Sequence, residues 1–207
     1  MRNEYRDRQQ ERQSRIDLAA AFRLAALEGW NDMLTQHISV RAPGEKEQYL
    51  IQPPHLMFEE VTASNLHLLD GDGRHVRPST EGTHAFSFPM HRAVYRAVPE
   101  AGCVMHLHTK ASVAVAMQQQ GLIPGNQYAL WIGKVGYHDY EGFLTGPEEE
   151  KRLSAVFKQA KVVILRAHGM IVWGRSVHEA YLLCYYLNRA CEAQVASNAG
   201  AVPAYTP

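Results

Sequence analysis

The sequence lacks the features that mark several common classes of protein. Its 21 basic residues are balanced by 21 acidic residues, so charge alone indicates neither a nucleic-acid partner nor an anionic membrane surface. No apolar run approaches the roughly 20 residues that cross a bilayer, and residues 1–15 are polar, without the apolar stretch of a signal peptide. We therefore expect a cytoplasmic protein that binds neither nucleic acid nor membrane.

Cysteine is scarce, and the common nucleotide-binding motifs are missing. Cys103, Cys184 and Cys191 are odd in number and form no CxxC pair, which argues against a disulfide framework. We expect them to be reduced and buried. The sequence also contains no glycine-rich dinucleotide fingerprint, no Walker motif and no nucleophile elbow.

The length and composition fit one globular domain. The chain has 207 residues, of which 46% are hydrophobic, enough to bury a core without disulfides. Alternating helical and strand patterns predict a single α/β domain of the α+β type over residues 1–207, with a mainly antiparallel sheet and flanking helices. Residues 1–12 and 198–207 are expected to be loose tails.

Histidine is what the sequence has in abundance, with eleven copies. His106 and His108 lie two residues apart in a predicted strand at residues 102–108. Residues i and i+2 of a strand point to the same face, roughly 6.5–7 Å apart. His168 lies between two short apolar segments and precedes Gly169, which would let the backbone turn sharply and project the imidazole inward. The three histidines therefore predict a metal site.

Three imidazole ligands leave at least one coordination position open, which is the pattern of a catalytic metal site. We expect one divalent metal ion per chain. Zinc is the first choice for such a ligand set, and manganese, iron(II) and cobalt also accept imidazole. The alternative is that the His-x-His pair is a coincidence and that His168 is only a turn residue.

Several motifs occur together in the order and spacing of one known family. They are residues 36–41 (QHISVR), 61–64 (VTAS), 70–73 (DGDG), 99–109 (PEAGCVMHLHT), 137–142 (YHDYEG) and 167–169 (AHG). On these motifs the chain resembles the class II aldolase and adducin superfamily over nearly its whole length.

The resemblance implies a three-layer α/β/α domain around a central, mainly antiparallel sheet. It also implies a homotetramer with active sites near the subunit interfaces, and His106, His108 and His168 as the metal ligands. The family includes sugar-phosphate aldolases, decarboxylases, iron-dependent oxygenases and adducin, which is not an enzyme. Family membership therefore leaves the reaction open.

The sequence departs from the aldolases at their catalytic and phosphate-binding positions. Ser87 stands where the aldolases have a catalytic glutamate. Gln36–His37 and Pro54–His55 replace the small residues that hold the phosphate, and proline has no N–H to donate. Ala85–Phe86 replaces a serine pair. These departures predict a substrate that is not a sugar phosphate.

Other side chains are candidates for contact with that substrate. His37 and His55 would suit a flat or carboxylated molecule, because an imidazole can donate to a carboxylate or a phenolate. Ser87 is expected in the same pocket. Glu81 and Tyr140 are the candidates for proton transfer.

Together these features predict a metal-dependent carbon–carbon lyase, of the aldolase or decarboxylase type, that acts on a small non-phosphorylated substrate, aromatic or carboxylated. Two alternatives stay open. One is a non-haem iron oxygenase that uses the same three histidines, which would require oxygen for turnover. The other is a non-catalytic, adducin-like binding protein, which would have no need of an open metal site.

Overall fold

The computed structural model describes residues 2–44, 46–82, 87–142 and 146–198. Within these ranges it has six α-helices, seven strands and one short 3-10 helix at Phe58–Glu60. The helices are α1 (Arg2–Leu27), α2 (Phe88–Ala97), α3 (Lys110–Ala116), α4 (Gln127–Ile132), α5 (Pro147–Phe157) and α6 (Val177–Asn198). The strands are β1 (His37–Arg41), β2 (Gln48–Ile51), β3 (His67–Asp70), β4 (Cys103–Leu107), β5 (Val135–His138), β6 (Val162–Leu165) and β7 (Gly169–Gly174).

The seven strands form one sheet in the order β3-β2-β1-β4-β7-β6-β5. Every neighbouring pair is antiparallel except β5 and β6, which are parallel. Strand β4 lies at the centre, between β1 and β7, and the register places His37 opposite His106. The predicted mainly antiparallel sheet is confirmed.

Helices cover both faces of the sheet. Alternate residues along β4 belong to two different hydrophobic cores, one on each face. Cys103, Met105 and Leu107 pack with residues of α1, α3, α4 and α6. Val104 packs on the other face with residues of α2 and α5. A sheet buried on both faces requires a helical layer on each side. The predicted three-layer α/β/α architecture is confirmed.

The chain leaves β4 and enters α3 almost at once. Thr109 is the N-cap of α3, and its side chain accepts a hydrogen bond from the backbone N–H of Ser112 at 3.2 Å. This cap satisfies one of the donors that the first turn of a helix leaves unpaired. His108 is therefore held between the last residue of a central strand and a capped helix.

The N-terminal residues differ from the expectation of a loose segment over residues 1–12, because α1 extends back to Arg2. The segment is rich in arginine, glutamate and glutamine, which have high helix propensity. Arg15 also donates to Glu11 one turn earlier, at 2.8 Å. At the other end α6 continues to Asn198, and the rest of the expected 198–207 tail lies outside the described residues.

Two further expectations concern burial and the membrane. Cys103, Cys184 and Cys191 are buried free thiols, and burial raises the pKa of all three. Among the helices in the described part of the chain, none is both long enough and apolar enough to cross a bilayer.

We predict that Met105→Ala lowers the free energy of unfolding by about 2–5 kcal/mol, because it empties a fully buried position on β4. Urea denaturation with a chelator present measures this without a metal contribution. Met117→Ala is the matched control, since Met117 is 72% exposed just after α3. It should change the free energy by less than about 0.5 kcal/mol. Equal effects of the two substitutions would contradict this account of the core.

Candidate metal centre

Three histidines that are distant in the sequence converge at one end of β4. Their ring centroids form a nearly equilateral triangle: His106 to His108 4.6 Å, His106 to His168 4.8 Å, and His108 to His168 4.7 Å. One ring nitrogen from each lies within 4.8 Å of the others. The structure thus brings together the three residues that the sequence analysis singled out.

Backbone hydrogen bonds and an unusual conformation hold His168 in the turn between β6 and β7. The His168 N–H donates to the carbonyl of Leu165 at 3.1 Å. Ala167 has a φ of 55°, in the left-handed region that non-glycine residues seldom adopt. Its N–H donates to the carbonyl of Ala116 on α3 at 3.2 Å, which anchors the turn against a helix.

Gly169 serves this turn differently from the sequence-based expectation. It is not among the described glycines with a positive φ, so the left-handed step falls on Ala167 instead. A Cβ at Gly169 would lie 2.6 Å from the carbonyl oxygen of Leu107 and 2.9 Å from the ring of His108. The glycine is needed because two strands and a ligand ring approach too closely for any side chain.

The outward-facing nitrogens of two rings have acceptors that fix their tautomers. His106 Nδ1 lies 3.0 Å from the carbonyl oxygen of Met170, which can only accept, so this nitrogen carries the proton. His108 Nδ1 lies 3.2 Å from a carboxylate oxygen of Asp32 and donates to it. In both neutral rings the lone pair is then on Nε2. Such partners orient metal-binding histidines and raise their basicity.

The two Nε2 atoms lie only 2.8 Å apart. Since both Nδ1 atoms carry the protons of the neutral rings, two lone pairs face each other with no proton between them. A cation shared by the two nitrogens would turn this repulsion into attraction. The donor set therefore fits a divalent metal ion of the kind that imidazole prefers.

Burial keeps these rings in the metal-binding form. It lowers the pKa of His106 well below the usual range, and the neighbouring His108 and His168 lower it further. It also lowers the pKa of His168 to about 4. For His108 burial lowers the pKa while Asp32 acts in the opposite direction. Neutral imidazole is the form that binds metals, so no proton has to be displaced near pH 7.

A cavity of about 400 Å³ opens beside the three histidines. Three of the predicted substrate or proton-transfer residues line it, namely His37, Ser87 and Tyr140. The Tyr140 ring lies 6.0 Å from the His168 ring, edge to face, and its side chain is 62% exposed. His108 and His168 also border a second cavity of about 600 Å³, lined by residues of the loop after α1 and by α3.

Glu81 and His55 do not belong to this site. The Glu81 carboxylate is 2.5 Å from His67 Nε2 on β3, the edge strand three positions from β4. At about 4.8 Å per strand, that is roughly 14 Å across the sheet. The carboxylate pairs with the nearby imidazole of His67 instead of reaching the metal centre. His55 is exposed in a turn and is not among the described residues that line the cavity.

Pro54 and Ala85–Phe86 are two further places where the chain departs from the aldolases. Pro54 is not among the described residues that line the cavity. Ala85–Phe86 lies outside the described residues.

Several contacts of the site's histidines could not be found from local sequence patterns. Asp32 and Thr35 come from the loop before β1, and the Thr35 hydroxyl lies 3.4 Å from His108 Nδ1 and 3.0 Å from the Asp32 carboxylate. His91 on α2 is fully buried against His37, with 2.5 Å between ring nitrogens. These partners are 54 to 76 residues away in the chain, so no local pattern identifies them.

The chain belongs to the class II aldolase and adducin family. The model of the Class II Aldolase and Adducin N-terminal domain matches residues 16–195. This range contains all three histidines of the centre and every strand of the sheet.

Proteins named as class 2 aldolases and proteins named as adducins are both similar to the chain. A Pseudomonas aeruginosa protein provisionally named as a class 2 aldolase is 40% identical over 189 residues, 91% of this chain and 73% of that protein. Alpha-adducin of Mus musculus is 43% identical over 190 residues, 90% of this chain but 26% of adducin. The crystal structure of an aldolase II superfamily protein from Pseudomonas syringae superposes with a TM-score of 0.91 at 39% identity, covering 96% of this chain and 81% of that one.

We predict that Gly169→Ala destabilises the protein by about 1–3 kcal/mol, because the added methyl group overlaps a backbone carbonyl and the His108 ring. Gly125→Ala is the control: its Cβ would meet nothing closer than 3.7 Å, and the change should stay within about 0.5 kcal/mol. Chemical denaturation of both variants with a chelator present measures the difference. A Gly169→Ala variant as stable as the control would refute the close-approach argument.

Proposed function

We propose that the protein is a metal-dependent carbon–carbon lyase that acts on a small, non-phosphorylated, carboxylated substrate. The observation that carries the proposal is the pair of imidazole Nε2 atoms 2.8 Å apart, with a third imidazole beside them and a cavity in front. His106, His108 and His168 would hold one divalent ion, with zinc as the first choice. When bound, the ion would withdraw electron density from a substrate oxygen and so stabilise the charge left when a carbon–carbon bond breaks.

The cavity lining supports the substrate class. Its described residues include no lysine and no arginine, the side chains that most often bind a phosphate dianion. Neutral donors are present instead, in the imidazole of His37 and the hydroxyls of Ser87 and Thr35. A volume of about 400 Å³ suits a molecule the size of a benzoate or a short keto acid.

The described lining also has no carboxylate that could take a proton from carbon. Ser87 stands at the family's glutamate position, and Glu81 is paired with His67. Decarboxylation fits this arrangement, because the bond to the carboxyl carbon breaks, carbon dioxide leaves, and the electron pair stays on the substrate. The remaining step is protonation of that carbon. Tyr140 is the proposed donor, since its hydroxyl can be reprotonated from solvent at its exposed position.

We expect wild-type protein purified without chelators to contain about one equivalent of metal per chain, measured by elemental analysis. His108→Ala should lose it, because the substitution leaves two imidazoles. His178→Ala is the matched control, since His178 is exposed at the start of α6, beyond the end of β7 that lies away from the three histidines. The ligand assignment would be wrong if His108→Ala kept its metal, or if the wild type took up no added Zn²⁺.

Asp32→Asn should weaken zinc binding by about 10–100-fold, because it removes the negative charge that accepts the His108 Nδ1 proton. Isothermal titration with Zn²⁺ measures the dissociation constant. Asp72→Asn, in the exposed turn after β3, is the control and should leave the constant unchanged. An unchanged constant in Asp32→Asn would show that the carboxylate does not support the ligand.

Turnover can be tested directly with zinc-loaded protein under nitrogen. Hydroxylated benzoates and oxaloacetate are the probes, and release of carbon dioxide is the readout. Tyr140→Phe should slow release by roughly 10²–10⁴-fold at unchanged metal content. Cleavage of a sugar phosphate in preference to these acids would overturn the substrate class.

The similarity to alpha-adducin supports one rival, a non-catalytic binding protein. That rival predicts no metal uptake and no turnover. An iron-dependent oxygenase is the other, and it predicts that product forms only from iron(II)-loaded protein when dioxygen is admitted. The anaerobic assay therefore separates the lyase from both.

We also propose that the chain assembles as a homotetramer, as the resemblance to the family implies. Support comes from large apolar side chains left in solvent on α4, where Leu130 is 53% and Trp131 58% exposed. Light scattering after gel filtration would then give about four times the chain mass of 23.3 kDa.

A further inference from the structure

A second pair of histidines lies at the edge of the sheet, three strand positions away from the metal centre. His67 is the first residue of β3, and His75 follows the turn after that strand. Their ring centroids are 4.5 Å apart, with 69° between the ring planes. The rings of the three-histidine centre are separated by 4.6 to 4.8 Å. The edge of the sheet thus holds two imidazoles at nearly the same separation as two ligands of the centre.

A short hairpin brings these two histidines together. The Asp70 carboxylate accepts two backbone N–H groups of the turn, at 2.9 and 3.0 Å, and the chain returns along β3 so that His75 pairs with Leu69. Residues paired across two strands face the same side of a sheet, and so do residues two apart on one strand. His75 therefore lies on the same side as His67, as its diagonal neighbour, at a distance that long or aromatic side chains can bridge.

Glu81 determines which nitrogen of His67 has the lone pair. Its carboxylate accepts from His67 Nε2 at 2.5 Å, so this nitrogen carries the proton of the neutral ring and the lone pair is on Nδ1. The His67 side chain is only 9% exposed, and burial lowers its pKa, which favours the neutral ring near pH 7. A carboxylate on the far nitrogen is the usual partner that orients a metal-binding histidine.

Two buried nitrogens of the pair have no partner. In the described part of the structure, neither His67 Nδ1 nor His75 Nε2 makes a hydrogen bond, although both atoms are buried. Leaving a buried polar atom unpaired is costly and rare in folded proteins. Both side chains line a cavity of about 290 Å³ between the first half of α1 and the hairpin. A ligand shared by the two nitrogens would remove the cost.

The charged groups around this cavity favour a cation over an anion. Arg15 donates to Glu11 at 2.8 Å and to two backbone carbonyls at 2.9 and 3.4 Å, so its guanidinium is engaged within the protein. Arg77 is exposed and can extend into solvent. The carboxylates of Glu11 and Glu81 offset the two guanidinium charges. His67 Nδ1 offers a lone pair, which a cation can use and an anion cannot.

We infer that His67 and His75 form a second binding site for a divalent transition-metal ion, with His67 Nδ1 and His75 Nε2 as ligands and Glu81 as the group that orients His67. Zinc, copper(II) and nickel all accept imidazole. The site is separate from the three-histidine centre and does not depend on the proposed lyase activity. It has two protein ligands instead of three, so it fills after the centre and only when metal is added. An ion there would fasten the hairpin to the edge of the sheet.

Zinc binding to the whole protein tests the inference. We expect equilibrium dialysis to show a second, weaker equivalent of Zn²⁺ that His75→Ala loses while it keeps the first. His178→Ala, which removes an exposed histidine on α6, is the control and should keep both. Zinc uptake that is the same in His75→Ala and the wild type would overturn the inference. If His75→Ala loses zinc and His108→Ala does not, the metal centre is wrongly assigned and this site stands.

The carboxylate gives a test that leaves both ligands in place. Glu81→Gln should weaken the second site by about 10–100-fold and leave the first unchanged, whereas Asp32→Asn should weaken only the first. Glu59→Gln, in the exposed part of the 3-10 helix, is the control and should change neither. An unchanged second site in Glu81→Gln would refute the orienting role of the carboxylate.

Long-range ¹H–¹⁵N spectra of protein labelled with ¹⁵N-histidine identify the ligand atoms. The second equivalent of Zn²⁺ should shift His67 Nδ1 and His75 Nε2 and leave His106, His108 and His168 unchanged. Inorganic phosphate is the competing probe, because two arginines border the cavity. Phosphate that shifts the signals of His67 and His75 where zinc does not would overturn the cation assignment and make the cavity an anion site.

Discussion

The antiparallel pairing of β1 with β4 is the constraint on which the rest of the site depends. Its register sets His37 opposite His106, with both side chains on the face covered by α2 and α5. A slip of one residue would turn every side chain of β1 to the other face. It would bring Ile38 beside the metal ligands and take Ser39 away from α2. Val40 on β1 and Val104 on β4 face opposite sides of the sheet and are buried in separate cores, which holds this register in place.

Local periodicity explains why much of the architecture was predictable. His106 and His108 are two apart on a strand, and the apolar segments around His168 are β6 and the start of β7, so three ligands could be found from the sequence. The helix α4 was missed because it has only six residues and follows Pro124–Gly125, which reads as a turn. The family resemblance supplied the layer order, which spacing alone could not give.

What the sequence did not reveal depends on contacts between distant segments. Asp32 accepts from His108 only because the loop before β1 returns to the end of β4. His91 reads as an ordinary helix histidine until α2 packs on β1. Glu81 had the right chemistry and a nearby position in the chain, but the pairing with His67 carries it to the edge of the sheet. Charge and residue type are visible in a sequence, whereas the partner of each group is decided by the tertiary structure.

The separation of the ligands along the chain has a consequence for the durability of the fold. His108 and His168 are separated in the chain by α3, α4, β5, α5 and β6, so an ion held by the three histidines would act as a removable cross-link that closes this long loop. Such a cross-link favours the native state in proportion to the logarithm of free metal concentration. It would tie the central strand to the β6–β7 turn, and the hydrogen bond from His108 to Asp32 would connect the loop after α1 to the cross-link. Metal supply would then determine the resistance of the protein to heat and proteolysis as well as the occupancy of its metal site.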